Sequence, residues 1–134
     1  MKTTAIIERG KDGSFGIYTP KLRNTISGNG ETLDAAKQDF MEAYHEVVEL
    51  FGELGKPVPK ELQNLEFEYQ YDLASFYEAH PYLNVSQVAR YIGINDTLMR
   101  QYRRGQYISE AQVSRIQEGI HSIGRELSSA VLIR

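Results

Sequence analysis

Between residues 90 and 115 the chain carries five arginines, Arg90, Arg100, Arg103, Arg104 and Arg115, against two acids, Asp96 and Glu110. Tyr91, Thr97, Gln101 and Tyr107 stand among them, and Gln87 stands just before. A guanidinium is a planar fork of donors that matches a phosphate or the edge of guanine, whereas an ammonium acts as a point charge. A glutamine amide meets adenine in the same two-bond fashion. Tyrosine hydroxyls and the other arginines suit phosphate oxygens, which orient a partner without specifying it. The chemistry open to this set is therefore non-covalent: recognition of a polyanion that displays both phosphates and base edges. Cation usage points the same way, because every lysine lies at or before Lys60 and every later cation is arginine. The formal net charge is −3. Salt screens charges beyond roughly 8 Å, so the local excess decides what an incoming phosphate meets. The acidic total predicts only a modest sequence-independent component of binding.

Those residues need rigid elements beneath them. Asn84 to Ser86 offers a cap for a helix over 87–92, and Gly93 follows where a left-handed backbone ends a helix. Asn95 caps a helix over 96–104 that Gly105 closes. Ser109 caps another from Glu110 to about Leu127, with Val113, Ile116, Ile120, Ile123 and Leu127 in one apolar stripe. A shorter helix over 72–79 precedes them and ends at His80-Pro81. Val88 and Ala89 suit the packing face of the first helix of the pair, and Ile94, Met99 and Tyr102 that of the second. This leaves Asp96, Thr97, Arg100, Gln101 and Arg104 on the opposite side. Two short helices joined by a tight glycine turn form a helix-turn-helix, whose second helix enters the major groove. Arg100 is then the candidate reader of guanine and Gln101 of adenine. Gln87, Tyr91, Arg103 and Tyr107 fall near phosphates. Asp96 accepts from a cytosine amino group or helps to cap its helix. A generic helical bundle with a solvated arginine face is the competing interpretation. The apolar end Ala130–Ile133 is predicted to pack, across a dimer interface.

The first half reads differently. Thr3–Glu8 is β-branched and apolar, Lys11-Asp12-Gly13 is a turn, and Ser14–Tyr18 returns as a second strand. Thr25–Ser27 is predicted as a short third strand, with Gly28-Asn29-Gly30 as a turn. Thr32 caps a long helix whose stripe is Leu33, Ala36, Phe40, Ala43, Tyr44, Val47, Phe51 and Leu54. Pro57 and Pro59 stop it. Leu65, Phe67, Tyr69 and Tyr71 alternate with Glu66, Glu68 and Gln70, the period of a half-buried strand. The fold class is thus α+β: a βββαβ domain over 1–71, then an all-α domain over 72–134 for DNA binding and dimerisation. The outer strands of so small a sheet leave edges to which another chain can add, so the first domain is assigned to a protein partner.

Other chemistries find little support. There is no cysteine, which excludes disulfides and thiolate metal sites and fits a reducing cytoplasm. No run suits a signal peptide or a membrane span. His45 has no spaced partner, and Gly10, Gly13 and Gly16 precede a strand instead of the helix a dinucleotide fingerprint needs. A metal-dependent nuclease needs clustered strand carboxylates, and the strands supply Glu8, Glu66 and Glu68. No enzyme activity, cofactor or metal is expected.

Two stretches resemble known families. VSQVARYIGINDTLMRQYRRG, from Val85, resembles the helix-turn-helix of phage-repressor-type regulators. IIERGKDGSFGIYTP and GNGETLDAAKQDFMEAYHEVV resemble the HicB antitoxin domain, with its Asp-Gly strand turn and the helix start carried here by Gly28, Gly30, Glu31, Thr32, Leu33, Asp34, Ala35 and Ala36. After Pro20 the sequence departs from the common pattern with Lys21-Leu22-Arg23-Asn24. The resemblance implies a partial RNase H-like fold without catalytic carboxylates. It further implies binding and neutralisation of a HicA toxin ribonuclease that cleaves mRNA, and repression of the protein's own operon by an oligomer on operator DNA. A stand-alone transcriptional regulator, whose first domain binds another protein or a ligand, is the alternative.

Overall fold

Side chains alternate through β1 (Lys2–Arg9), so Thr3, Ala5 and Ile7 are buried on one face while Lys2 and Glu8 face solvent. The computed structural model describes residues Met1–Arg134. β2 (Phe15–Tyr18) returns antiparallel to β1 and buries Phe15 and Ile17. The turn between them places Gly13 at φ 85°, a conformation that costs glycine little. Asp12 Oδ1 accepts from the amide of Ser14 at 3.0 Å and from its hydroxyl at 2.7 Å. After β2, Thr19 and Ile26 close a loop: Thr19 N donates to Ile26 O (3.1 Å) and Ile26 N donates to Thr19 Oγ1 (2.9 Å).

The third strand is not where sequence placed it. β3 is Ser27–Gly30 and pairs antiparallel with β2, so Gly28-Asn29-Gly30 is the strand itself. The helix that follows, α1 (Leu33–Glu53), explains why. A Cβ on Gly28 would lie 2.4 Å from the amide nitrogen of Phe40, and one on Gly30 would lie 2.4 Å from that of Ala36. The glycines are there to let helix backbone rest on strand backbone. Thr32 caps α1 as expected, its Oγ1 accepting from Ala35 N at 3.1 Å. The α1 stripe buries Ala36, Phe40 and Tyr44, but Leu54 is exposed beyond the sheet.

A 3-10 turn over Lys60–Leu62 leads into β4 (Glu66–Tyr71), which runs parallel to β1. The sheet order is β3-β2-β1-β4. Phe40 meets Phe67 edge-on at 4.8 Å, and Tyr44 meets Phe67 at 5.3 Å. The Tyr44 hydroxyl donates to Leu62 O (2.7 Å) and accepts from Leu65 N (3.3 Å), tying the 3-10 turn to the helix inside the core.

The chain divides into two compact units, Met1–Ala79 and His80–Arg134. The division follows Ala79, whereas the sequence reading draws a boundary after Tyr71. α2 (Leu73–Ala79) belongs with the sheet through contacts that span the unit. Arg9 N donates to Ser75 Oγ at 3.1 Å, Arg9 pairs with Glu78, and Phe76 meets Tyr71 edge-on at 5.9 Å. The second unit holds α3 (Val85–Ile92), α4 (Asp96–Arg103) and α5 (Glu110–Ser129). The architecture is α+β in class, a mixed four-stranded sheet with five helices. No helix is long and apolar enough to cross a membrane.

Candidate nucleic-acid interface

The second unit is assembled from caps. Asn84 Oδ1 accepts from Gln87 N at 2.9 Å and starts α3. Gly93, at φ 90°, ends it, and the amides of Gly93 and Ile94 both return to Ala89 O, at 2.8 and 2.9 Å. Asn95 Oδ1 then accepts from Thr97 N (2.9 Å) and Leu98 N (3.2 Å), which starts α4. Ser109 Oγ accepts from Gln112 N at 3.3 Å and starts α5. Beneath the α3–α4 pair lie Val88, Ala89, Ile94, Met99, Tyr102 and Ile116, all buried. The first five are the packing residues that spacing required.

α5 braces the turn. Arg115 Nη2 donates to Gly93 O at 2.8 Å. Gly119 marks the close approach to α3, where a Cβ would sit 2.3 Å from Ile92 Cγ1. Tyr91, expected near a phosphate, instead bonds across to α5: its hydroxyl meets Ser122 Oγ at 2.9 Å and donates to Glu126 Oε2 at 3.2 Å.

Of the remaining predicted site residues, Thr97, Arg100, Gln101 and Arg104 share the face of α4 opposite the buried Met99 and Tyr102, and Arg103 lies on its flank. Thr97, Arg100, Gln101, Arg103 and Arg104 lie on α4 or at its end, and Gln87 lies in the first turn of α3; all are exposed. Arg100 spans the two helices, with Nη1 donating to Ser86 Oγ (2.9 Å) and Nη2 to Thr97 Oγ1 (3.4 Å). Its guanidinium is thus held between both helix starts by two neutral hydroxyls, which leave its charge uncompensated. Asp96 is engaged differently. Its Oδ2 accepts from Arg90 Nη2 at 3.2 Å, so a contact with a base would first have to release that pair. Gln101 and Arg104 make no side-chain hydrogen bond within the chain. Tyr107, in the loop after α4, is 84% exposed.

Sequence reasoning missed three contributors: Ser86, Arg90 and Arg115. Ser86 stands in the first turn of α3, fourteen residues before Arg100, so spacing within one helix gave no sign of their contact. In the sequence Arg90 and Arg115 register only as charge, and in the structure they pair with Asp96 and with Gly93 O.

The units differ in charge. Met1–Ala79 holds fourteen carboxylates and eight lysines and arginines, whereas His80–Arg134 holds four carboxylates and seven arginines. The second unit therefore presents a positive field to a polyanion. No group of three histidine, aspartate or glutamate side chains is placed to hold a metal ion. The strand carboxylates illustrate this. Glu68 lies opposite Thr4 in the sheet, four positions from Glu8 along β1, which separates them by about 13 Å at the rise of a strand. Compared with protein-family models, curated proteins and solved structures, the chain matches none.

Proposed function

We propose that the protein is a HicB-type antitoxin and autorepressor of the cytoplasm. In this reading His80–Arg134 is a helix-turn-helix that binds its own operator as a homodimer or higher homo-oligomer. Met1–Ala79 is a partial RNase H-like domain that covers a small HicA-like ribonuclease and blocks it sterically, with no chemistry of its own. The observation that carries the reading is the exposed polar face of α4, set on a capped helix pair in a unit rich in arginine. α4 would enter the major groove with Thr97, Arg100 and Gln101 at base edges and with Gln87, Arg103 and Arg104 at phosphates. Asp96, already paired with Arg90, then serves to hold the helix pair. The β1–β2–β3–α1–β4 order of the first unit supports the HicB reading, and its acidity suits a partner that binds RNA.

An oligomer is supported by α5. Ile116 is buried, but Val113 and Leu127 on the same stripe are exposed, as are Val131, Leu132 and Ile133 beyond it. The expected packing of that end does not occur within one chain. Two copies paired along this stripe would bury it and present two α4 helices to a palindrome.

The test is a gel-shift titration on the DNA upstream of the protein's own reading frame, with a scrambled duplex as control. The wild type should prefer the upstream DNA. Arg100→Ala should lose about 1–3 kcal/mol of discrimination, roughly tenfold to hundredfold. Arg104→Ala should weaken both duplexes alike and lower the salt slope by about one. Equal affinity for both duplexes in the wild type would remove the operator reading.

A further inference from the structure

The sheet of the first unit has two outer strands, and they are not equivalent. On β3 the outward groups belong to Ser27 and Asn29, because Gly28 and Gly30 pair inward with Ile17 and Phe15. The outward amide of Asn29 is already taken: it donates to Asp39 Oδ2 on α1 at 2.8 Å. That edge is partly engaged by its own helix.

β4 is the opposite case. Glu66 N donates to Met1 O at 3.0 Å, which fixes the phase of the parallel ladder. Glu66, Glu68 and Gln70 therefore bond towards β1, and the main-chain groups of Phe67 and Tyr69 point away from the sheet. Neither finds a partner in the chain. Beside this edge stand two contrasting rows. On the helix-covered face, Phe67 and Tyr69 are only half-buried. On the other face, Glu66 and Glu68 are exposed. Side chains of a neighbouring strand align with these rows, face by face.

We infer that the outer edge of β4 receives an extended segment of a cationic partner protein, in which apolar side chains alternate with lysine or arginine. The main chain of the segment would pair with Phe67 and Tyr69. Its apolar side chains would cover their rings, and its cations would face Glu66 and Glu68. The excess of carboxylates in this unit favours the same sign of partner. A second copy of the chain is disfavoured, because it would bring its own glutamate row to the edge. The inference rests on the antitoxin reading only for the partner's identity; the edge itself follows from the register.

The first experiment uses the full-length, isotope-labelled chain and acetyl-Lys-Val-Lys-Val-Lys-Val-Lys-amide as probe. A second peptide of equal charge, with its central valine replaced by proline, reports charge attraction without strand pairing. The alternating peptide should slow hydrogen exchange at the amides of Phe67 and Tyr69 by about tenfold and leave Ser27 to Gly30 unchanged. The proline peptide should have no such effect. Equal responses to both peptides, a response at β3, or none at β4 would overturn the inference.

Two variants extend the test to the ribonuclease encoded beside the protein, if it is restrained by the wild type. Tyr69→Pro removes an amide that no ladder bond uses, and Glu66→Lys with Glu68→Lys reverses an exposed row without touching the core. Both should lose at least about tenfold in inhibition. Restraint equal to wild type by both variants would overturn the β4 assignment and leave the antitoxin reading standing. A peptide that pairs with β4 while no ribonuclease is restrained would do the reverse.

Discussion

In Met1–Ala79 a helix rests on a sheet so closely that Gly28 and Gly30 admit no side chain. In His80–Arg134 three helices meet around a few buried residues and leave the far stripe of α5 open, with Leu127 67% exposed. One unit is closed by backbone proximity and a large apolar cluster. The other is held by caps and by braces from α5. Charge follows the same division, with carboxylates and lysines on the first unit and arginines on the second. A dense acidic unit can offer a rigid edge to a protein partner. A thin basic unit can present a helix to a groove, and under the proposed pairing its open stripe would gain the rest of a core from another copy.

The sharpest way to break this contrast is to add one methyl group to each unit. Gly28→Ala drives a Cβ into the backbone of Phe40, which cannot yield without moving α1 off the sheet. A loss of about 3 kcal/mol or more is expected in urea denaturation, the upper end of overpacking costs. Gly119→Ala meets only side-chain atoms of Ile92, which must shift but are not backbone. It should cost roughly 1 kcal/mol. If the two substitutions cost the same, the difference in packing between the units is not real.

A second comparison sets a buried bond against an exposed one. Tyr44→Phe keeps the ring against Phe67 but leaves Leu62 O and Leu65 N without their hydroxyl. The expected loss is about 2 kcal/mol, the penalty of stranding buried polar groups. Asn95→Ala removes an exposed cap from α4 in the second unit, and about 1 kcal/mol should go with it. Thermal melts of both variants beside the wild type would rank them. An Asn95 effect larger than that of Tyr44 would mean that the second unit has little beside its caps.

Much of this was legible in the sequence, for reasons that vary with the signal. Thr32, Asn95 and Ser109 declared helix starts because a short polar side chain before an apolar period has one common use. Gly93 and Gly105 declared helix ends, and both have positive φ. The burial of Met99 and Tyr102 followed from spacing alone. The β3 strand was hidden because glycine carries no periodicity: Gly28-Asn29-Gly30 has the composition of a turn, and only the approach of α1 makes it a strand. The placement of α2 was hidden because Ser75 and Glu78 reach back to Arg9, a contact between residues far apart in sequence. At the candidate site, exposure and clustering were legible from helical spacing. The engagement of Asp96 with Arg90, and of Tyr91 with α5, depended on how helices pack, which spacing within one helix does not contain.

The smallest expected effect concerns acid. The caps of the second unit are neutral, Asn84, Asn95 and Ser109, whereas the β1–β2 turn of the first relies on the charged Asp12. The hydroxyl of Ser14, and then its amide, donate to that carboxylate and hold it below its ordinary value of 3.8. A carboxyl lowered by folding contributes stability that is fully present above its unfolded value. That contribution disappears as pH falls through the folded one. Asp12→Asn keeps an acceptor at the turn and removes only the charge. The wild type should therefore exceed the variant slightly near neutral pH, and the margin should shrink as pH falls below 3.8 and through the lowered folded value. Because the group is solvent-exposed, added salt should shrink the margin further. Urea midpoints measured across that range would decide the matter, and a margin that widens in acid would show that Asp12 is not what holds the turn.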